Sequence, residues 1–287
     1  MIGALVGAAV FLGVLFSFAH PWLVVLNAFD WASGAKPLSA RIALLEPAVD
    51  VQTPDDGEGP FPLAIQFHGC AGPRAPFQQQ WADVALSAGY AVMIVDSVGP
   101  RGFDREGALD KVCTGKTLLG QERAGDVLAA IAMAARDERI DRTKIVLAGW
   151  SHGGWSIMDY FAYGDKAPAG VAAPAAGAAF PALDIAGAVF VYPYCGPAAR
   201  SRYQAWEKTP PLLAIVAGAD TMVDPKPCIA FFEERKTAGD PVNLVVYPNA
   251  EHVFDDPYLE PDYIEDFDAG LRDDAVEKYR SFLLGLR

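Results

Sequence analysis

The fold is decided by one stretch, Lys144-Ile-Val-Leu-Ala-Gly-Trp-Ser-His-Gly-Gly-Trp155. An apolar, β-branched run leads there into Gly149-Trp-Ser-His-Gly153, which matches the G-x-S-x-G pattern of a sharp strand-to-helix turn. Such a turn strains its central residue and exposes the side chain above the sheet edge. The helix predicted to begin at His152 directs its free N–H groups and its positive dipole end toward Ser151. We therefore predict that Ser151 is a nucleophile, although so short a pattern also arises by chance in glycine-rich loops.

Two residues later in the chain, His252 and Asp220, are predicted to activate this serine. A serine hydroxyl is a weak nucleophile at neutral pH, so a histidine must accept its proton and an acid must orient that histidine. His252 follows a strand-like run over 243–247, and Asp220 ends another apolar run that begins at Leu212. The chain order Ser151, Asp220, His252 is the order found in α/β-hydrolases. We predict these three as catalytic residues, and the alternative for His252 is a surface histidine after a turn.

Asp224 competes with Asp220 for the acidic position, because it lies only four residues further along. Asp220 comes directly after Gly218-Ala219 at the end of the predicted strand. Asp224 precedes Pro225, which indicates a role in shaping the turn. Asp220 is therefore the predicted acid.

The loop after the predicted strand at 63–67 carries the sequence His68-Gly-Cys-Ala-Gly72. Its glycines let the backbone approach a substrate, and this fold places its second oxyanion donor here. We predict that the backbone N–H groups of Cys70 and His152 form an oxyanion hole, and we interpret His68 as structural. Arg101, after the next strand, is a candidate clamp for an anionic substrate group. The alternative is that it ties its loop to nearby carbonyls or to Asp104.

Strand-like and helix-like segments alternate along the chain, which indicates an α/β fold with a mostly parallel sheet. Besides the strands named above, we predict strands at 41–45, 90–95 and 188–192, and helices at 79–88, 116–137 and 273–284. Three charges of the long alanine-rich helix are assigned to structural pairing: Glu122, Arg123 and Asp126. The connection 164–184 and the acidic loop 255–268 are expected to shape the substrate pocket.

The composition describes a globular chain with one sizeable core. Its 287 residues are 52% hydrophobic and 21% charged. The net charge of −13 argues against nucleic acids and anionic membrane surfaces as partners, since both bind clustered Lys and Arg. We expect a small-molecule substrate, and the oligomeric state stays open.

The N-terminal segment has the length and apolar character of a membrane span. Residues 1–18 carry no charge, and the apolar character resumes after His20-Pro-Trp22; about 20 apolar residues cross a bilayer. We predict an anchor or signal segment, a linker and a catalytic domain at 1–28, 29–39 and 40–287. The catalytic domain is expected in the periplasm or outside the cell, although the absence of basic residues before the segment leaves its orientation unassigned. Cleavage near Ala32-Ser-Gly34 would instead give a secreted protein, and a buried core helix is the structural alternative.

Several short motifs resemble the dienelactone hydrolase family of α/β-hydrolases, and together they cover about residues 40–287. They are Gly69-Cys70, Asp96 to Gly102, Val112-Cys113, Glu122-Arg123, Gly149 to Gly154, Gly218-Ala-Asp220 with Pro225 and Cys228, and Tyr247 to Asp255. The resemblance implies an α/β-hydrolase fold, the triad Ser151, Asp220 and His252, and Cys70 at the oxyanion position. It also favours Arg101 as a residue that binds a carboxylate group of the substrate, although the loop spacing to this arginine is one residue longer than in the family.

The resemblance implies hydrolysis of carboxylic esters, lactones or thioesters through an acyl-enzyme, with no metal or organic cofactor. Dienelactone hydrolase itself uses a cysteine nucleophile, so its own substrate does not carry over to a chain with serine. One alternative is a serine peptidase for short peptides, which the lack of a propeller or large accessory domain disfavours. The other is a catalytically silent scaffold used for binding.

The four cysteines are Cys70, Cys113, Cys195 and Cys228. They form no C-x-x-C pair, so a zinc site is not expected. Cys195 and Cys228 follow neighbouring predicted strands, and we predict a disulfide between them in an oxidising compartment. In a reducing compartment all four would be thiols. Cys70 is expected to be free because it lies in the oxyanion loop.

Overall fold

A seven-stranded sheet organises the residues that this computed structural model describes, which are 34–174, 180, 183–259 and 266–287. In chain order the strands are β1 (Val49–Gln52), β2 (Phe61–Phe67), β3 (Ala91–Val95), β4 (Ile140–Trp150), β5 (Ile185–Val191), β6 (Leu212–Ala217) and β7 (Val242–Tyr247). Their spatial order is β1-β3-β2-β4-β5-β6-β7. Only β1 pairs antiparallel, with β3, and every other neighbouring pair is parallel. The predicted α/β fold with a mostly parallel sheet is confirmed.

Helices cover both faces of this sheet. They are α1 (Leu38–Leu45), α2 (Ala75–Ser87), α3 (Arg105–Ala108), α4 (Gly120–Ala134), α5 (His152–Tyr163), α6 (Lys226–Thr237) and α7 (Ala269–Gly285). A π-helical turn over Leu109–Cys113 continues α3. Within the described residues, no helix combines the length and the apolar character that crossing a bilayer requires.

Alternate residues of the central strands enter two separate cores. In β4, Ile145 and Leu147 pack with residues of α1, α4, α5 and α6, whereas Val146 and Ala148 pack with residues of α2 and α7. This is the period of two expected for a strand. Because both faces are buried, the strand sequences are continuous apolar runs, which explains why sequence patterns locate them.

The strand predicted at Arg41–Leu45 is wrong, because these residues belong to the helix Leu38–Leu45, and the first strand begins at Val49. Ile42 and Leu45 are buried in the core, and Leu38 packs partly buried against it. Spacings of four and three residues lie on one helix face. The four apolar residues that follow Arg41 do not by themselves distinguish a short helix from a strand, so the pattern gave no physical basis for choosing a strand.

Several predicted segments fall outside the described residues. The predicted anchor or signal segment at 1–28 lies wholly outside, and so does the predicted linker up to residue 33. The later part of that linker contacts the folded domain, because Lys36 forms an isolated parallel bridge with Val171. The connection 164–184 and the acidic loop 255–268 are described only in part.

The turn from β4 into α5 is as sharp as the sequence predicts. Ser151 adopts φ 51° and ψ −114°, a region that non-glycine residues avoid. A Cβ on Gly149 would lie 2.5 Å from the carbonyl carbon of Gly153. A Cβ on Gly153 would lie 2.1 Å from the carbonyl oxygen of Phe67, at the end of β2. The turn therefore requires glycine at both positions.

One buried carboxyl group of α5, that of Asp159, has a raised pKa. Asp159 is fully buried, and it accepts hydrogen bonds from Trp155 Nε1 at 2.7 Å and from the backbone N–H of Ser201 at 2.9 Å. Burial raises the pKa of Asp159 to about 7, because desolvation of the charged form outweighs these hydrogen bonds.

We expect Gly153→Ala to lower the free energy of unfolding by about 1–3 kcal/mol or more, since the methyl group would overlap the Phe67 carbonyl. Gly285→Ala is the matched control, because a Cβ there meets no atom within 4 Å. Thermal unfolding midpoints of both variants and of the wild type make the comparison. Equal midpoints for Gly153→Ala and the wild type would contradict the close approach.

We expect Asp159→Asn to reduce the pH dependence of stability. Between its ordinary pKa of 3.8 and its folded pKa of about 7, Asp159 holds a proton in the folded protein that the unfolded chain has lost. Stability therefore falls as pH rises through this window. Asp255, whose pKa burial also raises to about 7, contributes a similar slope that the variant retains. Urea midpoints at pH 5 and pH 7.5 measure the effect, and an unchanged difference between the two pH values in Asp159→Asn would contradict it.

Candidate active site

Three strand ends bring Ser151, Asp220 and His252 together at one edge of the sheet. Ser151 follows β4, and Asp220 and His252 lie in the loops after β6 and β7. His252 Nδ1 lies 2.6 Å from Asp220 Oδ2, and His252 Nε2 lies 3.0 Å from Ser151 Oγ. Nδ1–H can donate to the carboxylate while Nε2 accepts from the serine hydroxyl. The arrangement suits transfer of the hydroxyl proton to the imidazole.

The carboxylate of Asp220 is fixed by the backbone of its own loop. Its Oδ1 accepts hydrogen bonds from the N–H groups of Met222 at 2.9 Å and Val223 at 2.8 Å, which leaves Oδ2 for His252. Asp220 and the His252 ring are buried. Asp224 instead accepts from the backbone N–H of Lys226 at 3.1 Å, within the turn that begins α6. Asp220 is thus the acid in contact with His252.

The loop after β2 passes close to Ser151. A Cβ on Gly69 would lie 3.8 Å from the Ser151 Cβ, and Cys70 and His152 line the same cavity as Ser151. His68 Nδ1 donates to the carbonyl of Gly69 at 2.5 Å, and His68 Nε2 accepts from the backbone N–H of Ser97 at 3.0 Å. Burial and then the charge of Arg123 lower the pKa of His68, which keeps this ring neutral.

An open cavity of about 600 Å³ lies over Ser151. Most of its wall is apolar or aromatic, contributed by Val112, Trp155, Tyr194, Pro197, Met222, Val223 and Pro227. Two exposed charged side chains, the cation Arg202 and the anion Asp224, also line this cavity. The cavity therefore suits a largely apolar small molecule with a polar group to be attacked.

The structure contains two disulfides, one expected and one not. Cys195–Cys228 confirms the predicted pair. Cys70 is bonded to Cys113, so the expectation of a free Cys70 is wrong. The turn Leu109–Cys113 packs against the loop after β2, and this brings the two Cα atoms to 4.9 Å. The bond leaves the backbone N–H of Cys70 available, and that N–H is the group for which a role is predicted.

Arg101 is not among the described residues that line the cavity, so nothing in its position supports the predicted role as a substrate clamp. Its Nη1 donates to the carbonyl of Ser97 at 2.5 Å, and its Nη2 pairs with Asp126 Oδ1 at 2.9 Å. The alternative of a tie to a loop carbonyl is confirmed, but the carboxylate is Asp126. Asp104 instead caps α3 by accepting from the N–H of Gly107.

The charged residues of α4 lie in a buried cluster. The sequence predicts that they are paired, but it does not predict their partners. Asp126 pairs with Arg41 at 2.6 Å as well as with Arg101, which agrees with structural pairing. Arg123 is fully buried and contacts the loop after β2 and the start of α5, donating to the carbonyl of His68 and to His152 Nδ1. The only signal in the sequence was three charges in an otherwise apolar, alanine-rich helix.

Comparison with known proteins agrees with this fold. A solved esterase from Thermogutta terrifontis, Est2 with bound propionate, superposes with TM-score 0.60 over 83% of this chain and 89% of that chain, at 19% identity. The same esterase phosphorylated by paraoxon gives a TM-score of 0.59 over 83% of this chain and 88% of that chain, also at 19% identity.

Curated relatives extend the comparison to longer proteins. The human acylamino-acid-releasing enzyme is 24% identical in an alignment 229 residues long that covers 70% of this chain and 30% of that protein. The chain thus spans about a third of the length of the curated relatives it matches. The family model of the dienelactone hydrolases matches residues 49–283, from the first strand to the last helix. With that match over most of its length, the chain belongs to the dienelactone hydrolase family of α/β-hydrolases.

Proposed function

We propose that this protein is a serine-dependent hydrolase that cleaves carboxylic esters, lactones or thioesters through an acyl-enzyme. The observation that carries the proposal is the continuous hydrogen-bonded chain from Asp220 through His252 to Ser151, at the floor of an apolar cavity. Membership of a hydrolase family supports the same reaction class.

Each proposed step uses groups of this chain and water. Ser151 Oγ attacks the substrate carbonyl carbon while His252 Nε2 accepts the hydroxyl proton. The carbonyl oxygen becomes an oxyanion, which the backbone N–H groups of Cys70 and His152 stabilise. His252 then gives its proton to the leaving oxygen or sulfur, and Ser151 keeps the acyl group. Water repeats the two steps, and Asp220 stabilises the imidazolium in both.

The cavity supports small, largely apolar substrates. Its apolar wall and its volume of about 600 Å³ suit a short acyl or alkyl group rather than a polymer. Est2 from Thermogutta terrifontis is an esterase solved with propionate and with butyrate bound. For this chain we propose esters with acyl groups of similar size.

The disulfides support a location in an oxidising compartment. Such bonds form and persist in secreted and periplasmic proteins and are rare in the cytosol. Both Cys70–Cys113 and Cys195–Cys228 are closed in this chain. We propose a periplasmic or extracellular catalytic domain, tethered by residues 1–28 or released by their cleavage.

A peptidase activity is the second candidate. The similarity to acylamino-acid-releasing enzymes favours it, since their name describes release of acylated amino acids. Comparing kcat/KM for N-acetyl-alanine p-nitroanilide with that for N-acetyl-alanine p-nitrophenyl ester separates the two reactions. Turnover of the ester alone would support an esterase, and efficient turnover of both would favour the peptidase.

We expect Ser151→Ala to reduce hydrolysis of p-nitrophenyl acetate, butyrate and octanoate by about four orders of magnitude or more, because it removes the nucleophile. The same variant should lose labelling by a fluorophosphonate probe. If the wild type and the variant both failed to hydrolyse every ester and to react with the probe, the result would contradict the enzyme proposal and favour a binding scaffold.

We expect Asp220→Asn to lower kcat by about 10⁴-fold, because the amide would no longer hold His252 in the required tautomer. Asp224→Asn is the matched control, four residues away and in contact with the backbone of Lys226 rather than with His252. Asp224 lines the cavity, so its replacement is expected to change KM, whereas kcat should stay within a few-fold of the wild type. A larger loss in Asp224→Asn than in Asp220→Asn would reverse the assignment.

A further inference from the structure

We propose that Arg123 is a positioning residue for the oxyanion hole, because its guanidinium ties the loop after β2 to the first residue of α5, and these two segments carry the proposed donor N–H groups. This inference rests on the proposed function, which assigns those donors to Cys70 and His152. Arg123 itself touches neither substrate nor the reacting atoms. It acts through His68 and His152.

A single nitrogen atom of Arg123 bridges the loop after β2 and the start of α5. Nη1 donates to the carbonyl oxygen of His68 at 2.8 Å and to Nδ1 of His152 at 3.0 Å. His68 begins the loop after β2, two residues before Cys70, and His152 directly follows Ser151. One buried side chain on α4 therefore links the loop after β2 to the start of α5.

The contact also fixes the ring of His152. A guanidinium only donates hydrogen bonds, so Nδ1 of His152 must be the unprotonated, accepting nitrogen. Burial, and then the Arg123 charge, lower the pKa of His152 well below its ordinary value, so the ring is neutral with its proton on Nε2. The ring packs edge-on against Trp155, with centroids 4.9 Å apart. These contacts hold the residue whose backbone N–H is the proposed donor.

The effect on the loop after β2 reaches the Cys70 N–H through two consecutive peptide units. Arg123 holds the carbonyl of the His68–Gly69 peptide, and His68 Nδ1 holds the carbonyl of the Gly69–Cys70 peptide at 2.5 Å. In a trans peptide the C=O and N–H groups point in opposite directions. Holding the Gly69 carbonyl toward the protein interior therefore turns the Cys70 N–H away from it.

Packing alone does not explain an arginine at this position. The side chain is fully buried, and its Nε and Nη2 have no hydrogen-bond partner among the described residues. Burial lowers the pKa of Arg123 to about 10, so the group is still a cation at neutral pH. The nearby carboxylate, Asp126, is hydrogen-bonded to Arg41 and Arg101. A buried, incompletely paired cation destabilises the fold, whereas a positive charge behind two donors favours an oxyanion.

The test compares Arg123→Met and Arg123→Lys with Arg41→Met and Arg41→Lys. Arg41 is a matched control, because it is also buried, but its hydrogen bonds go to Glu122, Asp126 and Gly170 rather than to His68 or His152. With p-nitrophenyl butyrate, Arg123→Met should lower kcat by about 10- to 1,000-fold, because complete loss of one oxyanion donor costs about 10²- to 10³-fold and a misplaced donor costs less. KM should change by less than about threefold, because the donors matter mainly in the transition state. Arg123→Lys should recover part of kcat.

Both Arg41 variants should keep kcat within about threefold of the wild type, even where their unfolding midpoints fall. The inference is overturned if Arg123→Met keeps wild-type kcat, or if it loses no more kcat than Arg41→Met. Should Arg123→Met fail to fold, the two lysine variants make the same comparison, and equal kcat values for them would overturn it.

A readout without catalysis separates this inference from the proposed function. The ¹⁵N NMR shifts of the His152 ring should show an unprotonated Nδ1 in the wild type and a changed Nδ1 environment in Arg123→Lys. Absence of ester turnover in the wild type would reject the proposed function, whereas an unchanged His152 ring in Arg123→Lys would reject the positioning role.

Discussion

Helix α5 packs so closely on the end of β2 that no β-carbon fits between Gly153 and the carbonyl of Phe67, where it would lie 2.1 Å from the oxygen. This backbone contact sets the height of the Ser151 turn above the sheet. It also sets the start of the neighbouring loop, because His68 directly follows Phe67. The strained φ of Ser151 is tolerated because the packing of β4, β2 and α5 determines it from both sides. Arg123 adds a polar tie to a spacing that the glycines first make possible.

Parallel pairing then determines where the remaining groups lie. Strands β4, β6 and β7 run in the same direction, so their carboxyl ends reach one edge of the sheet and their loops converge there. The side chains of Ser151, Asp220 and His252 meet although 101 residues separate the first from the last. The rigid sheet fixes the positions of these side chains, and the loops at its edge carry them.

The sequence predicts much of this arrangement, because each functional residue follows an apolar run that both faces of the sheet bury. The contacts of Ser151, Asp220 and His252 could be anticipated on that basis, and their catalytic role stays a prediction. The helix at Leu38–Leu45 was missed because the four apolar residues at 42–45 fit a strand or a helix equally well. The partners of Arg101 and Arg123 are mostly main-chain carbonyls and a ring distant in sequence, for which no local pattern exists. The bond from Cys70 to Cys113 depends on how the segment 105–119 folds back over the cavity, which is a long-range property.

The arrangement of the two disulfides along the chain has a consequence for biosynthesis. Four cysteines allow three pairings, and in this protein the first cysteine joins the second and the third joins the fourth. If the chain emerges with its N-terminus first and is oxidised as it emerges, Cys70 and Cys113 are both available before Cys195 is synthesised. Simple vectorial pairing gives the native bonds, with no need for an isomerase to exchange partners. Refolding of the complete reduced chain offers no such order, and all three pairings then compete.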